Sequence, residues 1–379
     1  VIGGSGSDIF VAGIDSVKFD GGAAGNDTVS YVTSNFGVTI DTLLNTGLGG
    51  YANGNVYVSI EKFIGSSYDD VFKGGTVANQ FDGGSGGFDT VDYSASTAVT
   101  VDLFRGTGSG GYAQGDTYAH IQNVIGGAGD DIFIANTDKN TFDGRGGSNT
   151  VSYAEATDTH GIVVDMATGD VSAANATSYA KGDKFINIQN IIGTAYDDTF
   201  IASAAANSFV GNGGVDTVSY VTANDGNGVS VNLKLGTATG GFAAGDTFTD
   251  IQNITGTNYN DTFFASTLAN KFTGGTGSDT VNYSLSAAGV TVDLATANAV
   301  GIGGDAVGDT YVGIENIVGS TASDLFYASN DINSFSGGGG AGVDTVDYSK
   351  ANDGNGVSVN LKLGTATGGF AAGDTFTDI

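Results

Sequence analysis

The sequence predicts an all-β chain, a parallel β-roll or β-solenoid built from six repeats of about 63 residues. Three observations predict it. The motif D-T-V-x-Y returns at near-constant intervals along the whole chain. Gly-rich units of nine residues place Asp or Asn at position six and a large apolar residue at position eight, as in Gly256–Asn282. Segments between them alternate apolar and polar residues, as in Val229-Ser230-Val231-Asn232-Leu233, the pattern of a strand with one buried face. A nonapeptide of turn plus short strand cannot bury its own apolar side chain, so it must stack on copies of itself.

The D-T-V-x-Y anchor lies at Asp27–Tyr31, Asp89–Tyr93, Asn149–Tyr153 (as NTVSY), Asp216–Tyr220, Asp279–Tyr283 and Asp344–Tyr348, with steps of 62, 60, 67, 63 and 65 residues. A second anchor, I-x-x-[IVF]-x-G, starts at Ile60, Ile121, Ile188, Ile251 and Ile314. A third, G-[DN]-x-[FY], starts at Gly54, Gly115, Gly182, Gly245, Gly308 and Gly373. The array divides at about 1–64, 65–125, 126–192, 193–255, 256–318 and 319–379. Each repeat is expected to hold about six strands: three in the nonapeptide block and one each at GVSVNL, GDTF and IQNI. That makes about three coils per repeat, so six repeats stacked at roughly 4.8 Å per coil would extend on the order of 85 Å. Residues 153–187 are the least regular and are expected to carry a longer loop. No segment has helical periodicity, and the density of Gly penalises helix.

Composition narrows the function. The chain has 65 Gly and no Pro, Cys or Trp, and of 41 acidic residues only Glu61, Glu155 and Glu315 are not Asp. Asp beside Gly belongs in turns, where a short carboxylate binds local backbone or a cation. A net charge of −29 argues against nucleic acid and anionic membrane surfaces as partners. The absence of Cys excludes disulfides and thiolate metal sites, and no apolar run is long enough to insert into a membrane. The chain begins at Val1, and residues 223–251 and 351–379 are identical, which suggests a segment of a longer, recently duplicated array. A stack of this kind would continue into further repeats of the same chain or meet copies of itself, end to end or side by side.

Four nonapeptides match G-G-x-G-x-D-x-U-x in full: Gly3–Val11, Gly126–Ile134, Gly274–Asn282 and Gly339–Asp347. These units resemble the RTX, or hemolysin-type calcium-binding, repeats of secreted bacterial proteins. The DTVSY…GVSVNL…GDTF…IQNITG…NDTF layout resembles the extended repeats of large RTX adhesins and surface proteins, over essentially the whole chain. The resemblance implies Ca²⁺ as cofactor, type I secretion and a place outside the cell or on the bacterial surface.

The spacing of the Asp residues fits a cation physically. Two nonapeptides make one coil, so turns 18 residues apart stack on one edge. Asp131/Asn149, Asp198/Asp216 and Asp261/Asp279 are 18 apart, Asp8/Asp27 and Asp70/Asp89 are 19 apart, and Asp324/Asp344 are 20 apart. Stacked carboxylates repel unless a cation such as Ca²⁺, which takes six to eight oxygens, lies between them. These twelve residues are the candidate metal ligands, mainly on one edge and with about one site per repeat, the Asp131 site weakest because Asn149 replaces Asp. The intervening units carry Asn79, Asn140, Asn207, Asn270 or Asn333 and act as spacers. Asp116, Asp183, Asp246, Asp309 and Asp374 either bind a second ion or close a turn. His120 and His160 read as solvated loop residues.

The function expected is a calcium-stabilised rod in a bacterial surface filament, surface layer or adhesin shaft, and not an enzyme. The alternative is an RTX module attached to a secreted protease, lipase or polysaccharide-modifying enzyme. Against it, no unique His, Ser or carboxylate pair interrupts the repeats. A flat Thr-bearing face that binds ice or glycan is a third reading, and outward Thr fits plain strand propensity equally well.

Overall fold

A computed structural model of the chain describes residues 1–157, 159–173, 179–350 and 354–379. It divides into two compact units, Val1–Ala195 and Tyr196–Ile379. Within each unit, strands of mostly three residues alternate between facing, largely parallel sheets, and the described residues contain no α-helix. The strands are short because a Gly-rich turn interrupts the chain every nine residues. Their side chains alternate, so the middle residue points inward and its neighbours point out. Val71–Lys73, Thr199–Ile201 and Thr262–Phe264 all show this, with Phe72, Phe200 and Phe263 fully buried.

Parallel pairing sets one coil at 18 residues where the nonapeptides are regular, as in Ile132↔Thr150 and Thr262↔Thr280. Extra turn residues stretch it to 19 at Val71↔Thr90 and to 20 at Leu325↔Thr345. Consecutive middle residues meet across the core as ring pairs. Phe133–Phe142, Phe263–Phe272 and Phe326–Phe335 stack with centroids 5.5, 5.8 and 5.5 Å apart. Such pairs contribute about 0.5–1.5 kcal/mol beyond the area they bury. Tyr31, Tyr93, Tyr153, Tyr220 and Tyr283, each ending a D-T-V-x-Y motif, are also buried.

One strand in every repeat but the fifth, where the antiparallel bridge Thr291↔Ile302 stands in its place, escapes the sequence pattern. After Thr100–Asp102 the chain folds back as Thr107–Ser109 and forward again as Thr117–Ala119, both pairings antiparallel. Ser230–Asn232, Thr237–Thr239 and Thr247–Thr249 repeat the arrangement. Where a Tyr hydroxyl lies beneath it, the middle residue of the added strand is Gly, whereas above Phe185 it is Val171. An ideal Cβ on Gly108 would lie 2.2 Å from the Tyr118 hydroxyl. In the third repeat, Ile162–Asp165 and Asp170–Ala173 form the same hairpin, where a long loop is expected from sequence. Residues 158 and 174–178 of that stretch lie outside the described residues.

The hairpin changes how repeats stack. Its three strands lie side by side in one sheet, so they make one passage between sheets instead of three. In the second repeat, Val71–Lys73, Thr90–Asp92 and Asn123–Ile125 lie in one sheet, and Gln80–Asp82 and the hairpin lie in the other. That is an odd number of passages, two and a half coils instead of three, so each repeat hands the next to the opposite sheet. The Asp-led strand Val71–Lys73 is in one sheet and its successor Ile132–Ile134 in the other. The candidate ligands therefore alternate between the two edges, in place of the single edge expected. Each hairpin adds two strands to one sheet.

Candidate metal centre

Each position-six residue begins where a Gly-rich turn meets its strand, and the stacking places these residues in columns along the edges. They are joined by a repeated hydrogen bond: the backbone N–H of one turn donates to the side-chain oxygen of the turn stacked on it. Asp8 N–H donates to Asp27 Oδ1 (2.7 Å), Asp70 to Asp89 (2.8 Å), Asp198 to Asp216 (2.8 Å), Asp261 to Asp279 (2.8 Å) and Asp324 to Asp344 (2.9 Å). Asp131 N–H donates to Asn149 Oδ1 at 2.9 Å. All six sequence-predicted pairs are thus brought together.

The rung continues into residues that the sequence reading did not single out. Asp27, Asp89, Asp216 and Asp279 N–H donate to Glu61, Gln122, Gln252 and Glu315 at 2.7–2.9 Å. These residues follow the Ile of the second anchor, and two of the chain's three Glu stand there, which is the signal that would have found them.

The two members of a pair differ. Asp261 is fully engaged: Oδ1 accepts from Val229 N–H (2.7 Å) and Thr257 Oγ1 (3.0 Å), and Oδ2 from Thr257 N–H (2.6 Å). Asp70 and Asp324 are held in the same way by Val38 and Ser66, and by Val290 and Ser320. The second member commits Oδ1 to the ladder, whereas Asp216 Oδ2 and Asp279 Oδ2 are buried and have no hydrogen-bond partner. Each faces a backbone carbonyl across a Gly. An ideal Cβ on Gly274 would lie 2.1 Å from Gly313 O and 2.3 Å from Asp279 Oδ2, and one on Gly211 would lie 2.3 Å from Asp250 O and 2.1 Å from Asp216 Oδ2. Gly21, Gly83 and Gly337 sit in the same way beneath Ser59 O with Asp27, His120 O with Asp89, and Asp378 O with Asp344. The carbonyl turns inward because its residue is left-handed, with φ between 49° and 58° from Ser59 to Asp378.

Two acceptor oxygens converging without a donor suit a hard cation, and Gly leaves the cradle open for one. Electrostatics agree. Burial pushes Asp89 and Asp216 up to about 7 and Asp279 up to about 6, with the neighbouring Asp70, Asp198 and Asp261 adding to the rise. Among the described residues no three Asp, Glu or His side chains converge, so any cation here would lean on backbone carbonyls as well as carboxylate.

The other turns are closed within the protein. Asp116, Asp183, Asp246, Asp309 and Asp374 each accept a ladder N–H on Oδ1, from Asn79, Asn140, Asn207, Asn270 and Asn333 at 2.7–2.8 Å. Their Oδ2 accepts the hydroxyl of Tyr93, Tyr153, Tyr220, Tyr283 and Tyr348 at 2.5–2.7 Å. In the first repeat Asn55 takes this place, with Nδ2 donating to Tyr31 at 2.9 Å. The spacer Asn270 accepts Ser266 N–H (3.0 Å) and donates to Gln252 O (2.8 Å). His120 is exposed, with Nδ1 2.8 Å from Asp82 Oδ1, and His160 is outside the ladders.

The family model described as RTX calcium-binding nonapeptide repeat (4 copies) matches residues 121–159, 189–227 and 255–285. These segments contain the Asp131/Asn149, Asp198/Asp216 and Asp261/Asp279 pairs. No curated protein matches the chain.

Proposed function

We propose that this chain, whose turns carry RTX calcium-binding nonapeptide repeats, is a calcium-stabilised structural array of a bacterial surface filament, surface layer or adhesin shaft. One observation carries the reading: an Asp Oδ2 set against an inward carbonyl, repeated at Asp27, Asp89, Asp216, Asp279 and Asp344, with that oxygen buried and without a donor at Asp216 and Asp279. Asp279 with Gly313 O, and its equivalents, would hold Ca²⁺, and the fully bonded Asp261 class would fix the turn above. The ion supplies positive charge between oxygens that otherwise repel. The chain's own residues supply the rest: the ladder N–H groups aim each carboxylate, and the Phe stacks hold the sheets apart at constant spacing. Asp116, Asp183, Asp246, Asp309 and Asp374 act as turn closures.

A net charge of −29 expands the calcium-free chain, and millimolar calcium outside a cell neutralises and folds it. Carboxylates repeated at every coil suit a scaffold better than a single reaction centre. The described residues contain no helix long and apolar enough to cross a membrane. Partners on this reading are further repeats or copies of the same chain. The test is far-UV circular dichroism in EDTA and after adding a few mM CaCl₂. A gain of β signal with calcium is expected, and a fully folded, calcium-indifferent spectrum would overturn the proposal. Electron microscopy of the calcium-loaded chain should show lateral or end-to-end assembly if it builds a filament or layer.

A further inference from the structure

The third repeat solves the same geometry with different chemistry. Asn149 stands where Asp216 and Asp279 stand in the next two repeats, and its Oδ1 accepts the ladder N–H of Asp131 at 2.9 Å. Its Nδ2 donates to Asn187 O at 2.9 Å and to Gly146 O at 3.1 Å. Asn187 is left-handed with φ 54°, like Asp250 (55°) and Gly313 (58°), and so presents the equivalent carbonyl. An ideal Cβ on Gly144 would meet Asn149 Nδ2 at 2.3 Å and Asn187 O at 2.5 Å, the place where the other repeats set oxygen against oxygen. The ladder fixes the amide's orientation. Flipped, its NH₂ would face the Asp131 N–H and its oxygen would face the Asn187 carbonyl.

We infer that Asn149 Nδ2 takes the place a cation fills in the other repeats, making the third repeat a calcium-independent clip in a calcium-dependent array. The inference rests on the calcium reading above for what fills the other sites. One atom decides the difference: oxygen at Asp216 and Asp279 is left without a donor, whereas nitrogen at Asn149 brings its own. The neighbouring rung is intact as well, since Asn149 N–H donates to Gln189 Oε1 at 2.8 Å. The consequence lies in folding order. In a stacked array each coil templates the next, so a repeat that closes without metal gives the calcium-free chain an ordered seed from which calcium-loaded coils grow.

Hydrogen exchange of the whole chain in EDTA tests this without any binding measurement. Amides of 144–149 and 187–190 should exchange about tenfold or more slowly than their counterparts at 211–216 with 250–253 and 274–279 with 313–316, because their turn opens less often. Uniform exchange across the three turns would overturn the inference. Two variants then separate it from the calcium reading. Asn149→Asp should lose that protection in EDTA and bind one more calcium per chain by equilibrium dialysis. Asp279→Asn should gain protection at 274–279 and bind one fewer, which decides the matter if Asn149→Asp does not fold. Wild-type chain that binds no calcium refutes the calcium reading, with the EDTA exchange contrast still deciding the clip. Calcium binding by wild type with an unchanged count and unchanged protection in Asp279→Asn refutes the clip alone.

Discussion

Asp279 and Asp309 lie in one repeat, are both buried, and both accept a ladder N–H through Oδ1 at 2.8 Å, from Asp261 and Asn270 respectively. Their other oxygens have opposite fates. Asp309 Oδ2 takes the Tyr283 hydroxyl at 2.7 Å, whereas Asp279 Oδ2 faces the Gly313 carbonyl with no donor. The residue type and the ladder bond are alike, and the neighbour of the second oxygen decides which carboxylate closes the fold and which is left for a cation. An Asp at position six is therefore not a ligand by virtue of its motif. The same lesson appears where the side chain itself changes, with Asn55 for Asp beside Tyr31 and Asn149 for Asp beside Asn187.

The comparison breaks most severely at Gly274. In Gly274→Ala the new methyl would lie 2.1 Å from a backbone carbonyl that cannot swing aside, and 2.3 Å from Asp279 Oδ2. Overpacking of this kind costs about 1–3 kcal/mol or more, and the same atom fills the cradle. The variant should bind one calcium fewer and unfold at lower urea even in saturating calcium. An unchanged ion count would show that the cradle is not the site.

Tyr283→Phe attacks the other side of the comparison. It leaves Asp309 Oδ2 buried without its donor, which costs about 1–3 kcal/mol. The urea midpoint in saturating calcium should fall, and the ion count should stay that of wild type. A lowered ion count would mean that Asp309 also holds metal.

A smaller effect follows from pH. Burial pushes Asp183 and Asp309 up to about 7 and Asp246 up to about 6, against partners that lower them: ladder N–H groups, the Tyr hydroxyls and, for Asp183, Lys139. An unfolded carboxylate titrates near ~3.9. Between these values the folded chain holds more protons than the unfolded one. This contribution is therefore fully present below about pH 4 and is lost as pH rises through the folded values. In EDTA the far-UV β signal should be larger at pH 5 than at pH 7.5. Asp246→Asn, which copies the Asn55 arrangement, should narrow that gap. An equal or larger signal at pH 7.5 would contradict the assignment.

Much of this was legible in the sequence. The period, the inward middle residue of each strand, and the stacking of Asp pairs at 18 to 20 residues are all direct readings of Gly spacing and apolar position. What was hidden depends on relations that no single motif carries. Thr107–Ser109 pairs as a strand through its backbone while showing no apolar alternation. The alternation of edges follows from an odd number of passages, which becomes visible only once that strand is placed. The inward carbonyls of Ser59, His120, Asn187, Asp250, Gly313 and Asp378 share a left-handed backbone but no side-chain chemistry. The unequal roles of Asp261 and Asp279 arise from the second residue of each turn: Thr257 N–H donates to Asp261 Oδ2, as Gly127 N–H does to Asp131, whereas Gly275, with φ 111°, leaves Asp279 Oδ2 without a donor.

The central claim is that calcium sits where an Asp Oδ2 faces an inward carbonyl and nowhere else in the ladders. Equilibrium dialysis of the whole chain against calcium at neutral pH tests it most directly. Five ions per chain are expected, one each at Asp27, Asp89, Asp216, Asp279 and Asp344, with Asn149 and the Tyr-bonded Asp residues contributing none. No saturable binding, or a count well above five and approaching the sixteen expected if every Asp-bearing turn took one, would contradict it.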